Sequence, residues 1–113
     1  MSAITTHVLD LALGRPAAGL QVRLDKYRDG DWIEAARGAT DADGRLKDLL
    51  TEGERPATGS WRITFVIGDY FRSFGMMSFY SEIPIVFEVR DADQHYHVPL
   101  LVSPFGYSTY RGS

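Results

Sequence analysis

The sequence predicts an all-β sandwich in one domain, residues 1–113, and three observations carry that expectation. Apolar and polar residues alternate with a period of two in one segment after another, as half-buried strands require. Turn residues punctuate these segments at short intervals. Only one stretch, residues 68–75, has the character of a helix, and it is a single short turn.

Taken in chain order, Ile4 to Asp10 alternates as a strand, and Leu13-Gly14-Arg15-Pro16 breaks it. Leu20 to Tyr27 is a one-sided amphipathic strand with Leu20, Val22 and Leu24 toward the core. Arg28-Asp29-Gly30-Asp31 supplies a hairpin turn, and Trp32 to Thr40 returns. Asp43-Gly44 turns the chain into a short strand near Arg45 to Leu50, and Thr51 to Ser60 forms a surface loop. Trp61 to Ile67 is a strong strand. Next comes the helical turn, with Asp69 expected as N-cap and Gly75 as stop. Ile83 to Arg90 is a β-branched strand in which Pro84 suggests an edge position. His95 to Val102 and Tyr107 to Arg111 close the chain, giving about eight strands and one helical turn.

Composition narrows the chemistry. With 44% hydrophobic and 24% charged residues the chain has the makeup of a folded domain rather than a disordered one. The absence of cysteine excludes disulfides, thiolate catalysis and cysteine-based metal sites. A net charge of −3 without a basic run speaks against nucleic-acid partners. No apolar run reaches the length of a membrane span, and no secretory signal is visible, so the cytoplasm is the expected location.

Polar chemistry concentrates near the end of the chain. Alternation places His95, His97, Pro99 and Leu101 on one face of their strand, opposite Tyr96, Val98, Leu100 and Val102, which make the better core face. His97 therefore looks outward, beside Pro99 and Leu101, as in the lining of a cleft or a subunit interface. His7 shares a face with Thr5 and Leu9. Taken alone, His95-x-His97 is also compatible with two metal ligands on one strand face, with His7 or a carboxylate as a third. Asp41-Ala42-Asp43-Gly44 lacks the later ligand spacing of a calcium loop and is better explained as a turn.

Three blocks carry a family resemblance. They are Thr5-Thr6-His7-Val8-Leu9-Asp10, Thr40-Asp41-Ala42-Asp43-Gly44-Arg45, and the run from Tyr96-His97-Val98-Pro99-Leu100-Leu101 through Ser103-Pro104 to Gly106-Tyr107-Ser108-Thr109-Tyr110-Arg111-Gly112-Ser113. Together they resemble the 5-hydroxyisourate hydrolases, transthyretin-related enzymes of purine catabolism. The resemblance implies a transthyretin-like β-sandwich of two four-stranded sheets with one short helix. It implies His7, Arg45 and His97 as catalytic residues, and Tyr110, Arg111 and Ser113 as substrate-binding residues of the closing tetrapeptide. In the hormone-carrying transthyretins, lysine, glutamate and threonine replace the histidine–arginine–histidine set that this chain keeps. The implied activity is hydrolysis of the cyclic amide of 5-hydroxyisourate in urate degradation, with no cofactor and no metal. The implied assembly is a homotetramer, a dimer of dimers, with no nucleic-acid or membrane partner. His95 receives no role. A carrier that binds a small ligand without turnover, and a metal-dependent hydrolase, are the alternatives.

Overall fold

Nine strands and one helix follow one another in the computed structural model, which describes residues 2–113: β1 (Ile4–Asp10), β2 (Arg15–Pro16), β3 (Gln21–Arg28), β4 (Asp31–Ala39), β5 (Arg45–Leu46), β6 (Gly59–Phe65), α1 (Ile67–Arg72), β7 (Ile83–Val89), β8 (Tyr96–Ser103) and β9 (Gly106–Thr109). They form two sheets. One runs β4-β3-β6-β7 and is antiparallel throughout; the other runs β2-β1-β8-β9, with β5 also pairing on β1. The expected sandwich is present, and four strands is correct for the β3-containing sheet. The other sheet has five, because two-residue strands β2 and β5 pair with successive parts of β1. Arg15 and Pro16 fold back onto Asp10 and Leu9, so the segment that breaks the first strand is itself a short strand.

The β3–β4 hairpin turns at Asp29 and Gly30, whose φ values of 53° and 84° give the left-handed pair that matches strand twist. Leu20, Val22 and Leu24 are buried as their alternation requires, and they meet Ile63 and Phe65 of β6 in the core. From the other sheet come Ile4 and Val8 of β1 and Tyr96, Val98, Leu100 and Val102 of β8. Each such large side chain stabilises the fold by roughly 1.5–3 kcal/mol through burial.

Helix α1 departs from the sequence reading. It starts at Ile67, with Val66 at the N-cap and Asp69 already inside the first turn, where its carboxylate pairs with Arg72 at 2.7 Å. Burial sets this start, because Ile67, Tyr70 and Phe71 form an i, i+3, i+4 stripe against the sandwich. Gly75, at φ 72°, turns the chain just beyond the helix. Strand β7 is an edge strand, as Pro84 suggests, and pairs only with β6. Strands β1 and β8 run parallel, with Thr5 opposite His97 and His7 opposite Pro99. That register places the polar residues of two distant sequence blocks side by side.

Candidate active site

Three neighbouring strands, β5, β1 and β8, present one outward face. Directly paired residues on adjacent strands point the same way, as do residues two apart along one strand. His7 is paired with Arg45 on one side and Pro99 on the other, and Thr5 is paired with His97. Thr5, His7, Arg45 and His97 therefore share this face.

The turn before β5 places Arg45. The Asp41 carboxylate accepts the backbone N–H groups of Asp43 and Arg45, both at 2.9 Å. These bonds, the one from Arg45 foremost, hold the Asp41 carboxyl below its ordinary range. Gly44 adopts φ 75°, and a Cβ there would stand 2.5 Å from the Val8 carbonyl oxygen. Only glycine lets the turn lie this close to β1. The Val8 N–H donates to the Gly44 carbonyl at 2.8 Å, and the neighbouring Asp43 carbonyl lies 2.9 Å from His7 Nε2. A carbonyl can only accept, so His7 carries its proton on Nε2, and Nδ1 is the nitrogen not committed to this bond.

His97 is held from the opposite edge. Its Nδ1 lies 2.8 Å from Thr5 Oγ1, leaving Nε2 as the nitrogen that Thr5 does not engage. The same hydroxyl lies 3.0 Å from His95 Nε2, and the two imidazoles stack 6.2 Å apart at 15°. Burial pushes the His97 pKa below that of an ordinary imidazole; His95, Arg45 and His7 add to the effect, and a hydrogen bond donated to the Thr5 backbone opposes it. This shift favours the neutral ring, the form that can act as a base.

The chain's last residues fold back over this face. The Gly112 N–H donates to the His97 carbonyl at 2.8 Å, and Thr109 Oγ1 donates to the Pro99 carbonyl at 2.7 Å. Pro99, although on the outward face, is thereby buried. A cavity of about 130 Å³ is lined by Thr5, Arg45, Lys47, His95, His97 and Ser113. A larger one of about 310 Å³ adjoins His97 and is lined by Phe87, Tyr96, Tyr110 and Arg111 among others. Of the residues singled out in the sequence, His97, Arg45 and Ser113 thus share the first cavity. Tyr110 and Arg111 line the second. The Arg111 guanidinium donates to Gln94 Oε1 at 3.0 Å and to the His95 carbonyl at 3.3 Å, and it lies 4.7 Å over the Tyr96 ring. Arg111 ties the tail to the turn before β8.

Among the described residues no group of three or more His, Asp or Glu side chains is placed to hold a metal ion. The His95–His97 pair converges on the Thr5 hydroxyl, which occupies one nitrogen of each ring. Thr5 itself is a residue that the sequence reading placed on the right face without giving it a task. The Asp43 carbonyl leaves no trace in sequence, because any residue type can supply it.

A transthyretin-like sandwich with two histidines and an arginine on one sheet face is the class of protein these features define. The model of the HIUase/Transthyretin family matches residues 4–112, and the chain belongs to that family. It is 53% identical over 116 residues to 5-hydroxyisourate hydrolase 2 of Rhizobium meliloti (strain 1021), covering 97% of this chain and 95% of that protein. The structure of Klebsiella pneumoniae 5-hydroxyisourate hydrolase superposes with a TM-score of 0.86 at 34% identity, covering 100% of both chains. Sea bream transthyretin in complex with thyroxine superposes with a TM-score of 0.90 at 32% identity, covering 98% of this chain and 95% of that one. The backbone is thus close to both a 5-hydroxyisourate hydrolase and a transthyretin that holds thyroxine. Side chains, and not the fold, must distinguish the two.

Proposed function

We infer that this chain is a hydrolase that opens the cyclic amide of 5-hydroxyisourate to 2-oxo-4-hydroxy-4-carboxy-5-ureidoimidazoline. One observation supports the reading: His7, Arg45 and His97 share one face of three adjacent strands, Arg45 and His97 line one cavity, and each histidine has a hydrogen bond at one ring nitrogen. An imidazole anchored in this way presents its second nitrogen to a reactant in a fixed direction.

His97, kept neutral, takes a proton from water through Nε2, a step worth roughly 10²–10⁴-fold in rate. Hydroxide adds to the lactam carbonyl, and the charge that develops on oxygen is stabilised by the Arg45 guanidinium. The C–N bond then breaks, and the departing ring nitrogen receives a proton from the histidine pair, His7 being paired directly with Arg45 on the adjacent strand. Arginine suits a planar ring rich in acceptors because its fork can bind two of them at once. Ser113 contacts substrate from the first cavity, while Tyr110 and Arg111 shape its rim from the second. This chemistry calls for no metal or cofactor.

Assembly as a homotetramer fits the surface beside the site. Leu11 and Phe105 are 57% and 74% exposed at the end of the β1–β8 sheet, and Tyr110 is 60% exposed next to His97. Apolar area of this kind is commonly covered by another copy. Among the described residues no helix is long and apolar enough to cross a membrane.

The decisive experiment follows the ultraviolet decay of freshly generated 5-hydroxyisourate with the pure protein, with and without a chelator. Decay accelerated far above the spontaneous rate and indifferent to chelation supports the reading. Binding without turnover would make the chain a carrier, and loss on chelation restored by zinc would make it a metalloenzyme. Light scattering at assay concentration tests the tetramer; an active monomer would refute it.

A further inference from the structure

We propose that Thr5 is a proton-relay and positioning residue, whose hydroxyl couples His97 to the exposed His95 so that the proton released in each turnover leaves the pocket through His95. The proposal rests on the hydrolase reading above and adds two residues to it.

The geometry is specific. Thr5 Oγ1 lies 2.8 Å from His97 Nδ1 and 3.0 Å from His95 Nε2. A hydroxyl has one hydrogen, so it can donate to one ring only and must accept from the other. The two imidazoles therefore cannot choose their tautomers independently. When His97 donates through Nδ1, its Nε2 is a free base and Thr5 donates to His95. When Thr5 donates to His97 instead, Nε2 of His97 bears the proton and His95 donates to Thr5. One arrangement is ready to activate water, and the other has just done so.

The chemistry requires an exit. Hydrolysis of an amide to a carboxylate consumes one water and releases one net proton: oxygen of water bonds to carbon, the C–N bond breaks, one hydrogen goes to nitrogen, and one must leave. No aspartate or glutamate side chain in the first cavity is placed to keep it. Arg45 and Lys47 stand beside His97, His7 faces it from β1, and no aspartate or glutamate lines that cavity. Arg111 lies on the far side, against the His95 carbonyl. An imidazolium at His97 thus lies beside the Arg45 guanidinium and the Lys47 ammonium, with no Asp or Glu side chain in that cavity to hold it. Through Thr5 it can discharge in a balanced step. The Nδ1 proton passes to Thr5 Oγ1 as the hydroxyl proton passes to His95 Nε2, so that Thr5 is unchanged and the charge appears on His95. His95 is exposed, His97 only partly so and Thr5 is buried, so the path leads from the less accessible ring of the cavity to the ring that is open to water.

The test compares Thr5→Val, Thr5→Ser and His95→Ala with the parent in dilute buffer, and again with rising imidazole. Thr5→Val is expected to lower kcat about tenfold or more with KM little changed, while Thr5→Ser stays within about threefold. His95→Ala is expected to lose several-fold in dilute buffer and to regain it as imidazole rises, because a soluble base replaces the missing one. Thr5→Val should show no such recovery. Parent kcat in Thr5→Val or in His95→Ala, or a His95→Ala loss that imidazole leaves untouched, would overturn the relay. Nitrogen NMR of labelled histidines needs no substrate and keeps the two readings apart. Titration of His95 and His97 as a coupled pair in the parent but not in Thr5→Val supports the bridge. Independent titration in the parent refutes it, whether or not 5-hydroxyisourate is turned over.

Discussion

Gly112 packs so closely against His97 that a side chain at this position would collide with the imidazole. Its N–H donates to the His97 carbonyl at 2.8 Å, and a Cβ at this position would stand 2.5 Å from Cδ2 and 3.2 Å from Cγ of the imidazole. The tail is therefore fitted against the ring from behind, while Thr5 holds Nδ1. Glycine is needed here for close approach.

Gly112→Ala is accordingly expected to displace either the ring or the tail. Misplacement of a catalytic group on the scale of an ångström costs up to about 10²-fold in rate. The core is untouched, so thermal stability should change little. Steady-state kinetics beside a melting curve checks this; unaltered kcat would show that the tail gives way at no cost.

The depressed pKa of His97 has two consequences of defined sign. The acid limb of kcat/KM should have its midpoint below the ordinary imidazole value of about 6.5, because the base stays neutral to lower pH. The folded state also binds this proton less readily than the unfolded chain. Stability from this group is complete above the unfolded value and is lost as pH falls through the lower, folded one. His97→Gln should flatten that part of the stability profile. Denaturant melts across this range decide it, and an unchanged slope in the variant would assign the effect to another group.

How much of this was legible in the sequence depends on the kind of interaction. Strands with one buried face, such as that of Leu20, Val22 and Leu24, announce themselves through period two. Strand β2 does not, since two residues carry no period and its pairing on β1 is decided by the turn at Gly14; the turn at Asp43-Gly44 did announce a short strand near Arg45 to Leu50, of which only Arg45–Leu46 pairs on β1. The start of α1 was misplaced because Asp69 looks like a cap, whereas burial of Ile67, Tyr70 and Phe71 sets the first turn. At the site, the outward position of His97 followed from the core face opposite it. The parallel register that pairs it with Thr5 is a long-range property with no local signal.

Asp10 and Tyr70 supply a contrasting expectation, on stability alone. Asp10 is buried; its Oδ1 accepts the N–H groups of Ala12 and Leu13, and its Oδ2 accepts the Tyr70 hydroxyl at 2.7 Å. Burial, then this hydrogen bond, pushes the Tyr70 pKa well above its ordinary value. Tyr70→Phe removes one bond to a charged acceptor and is expected to cost roughly 1.5–3 kcal/mol. Neither residue lines the cavities at His97, so kcat should hold. Urea unfolding and an activity assay on the same preparation test both halves; a kinetic defect without destabilisation would link the helix to the site.

Arg45 allows charge to be separated from geometry. It is exposed, projects from a two-residue strand opposite His7, and lines the cavity with His97, so its replacement leaves no hole in the core. Arg45→Ala removes the proposed stabiliser of the oxyanion and is expected to cost about 10²–10³-fold in kcat. Arg45→Lys restores a positive charge but not the planar fork, and Lys47 already places a second ammonium on the same cavity. If directed donors do the stabilising, lysine should recover less than about a tenth of the lost activity. If a diffuse positive field were enough, Arg45→Lys would be close to the parent, and even Arg45→Ala would be cushioned by Lys47. His7→Ala and His97→Ala, each expected to lose about 10² or more by removal of acid–base chemistry, set the scale for the comparison. Parent-like kcat in Arg45→Lys would therefore reject bidentate recognition while leaving the two histidines in place.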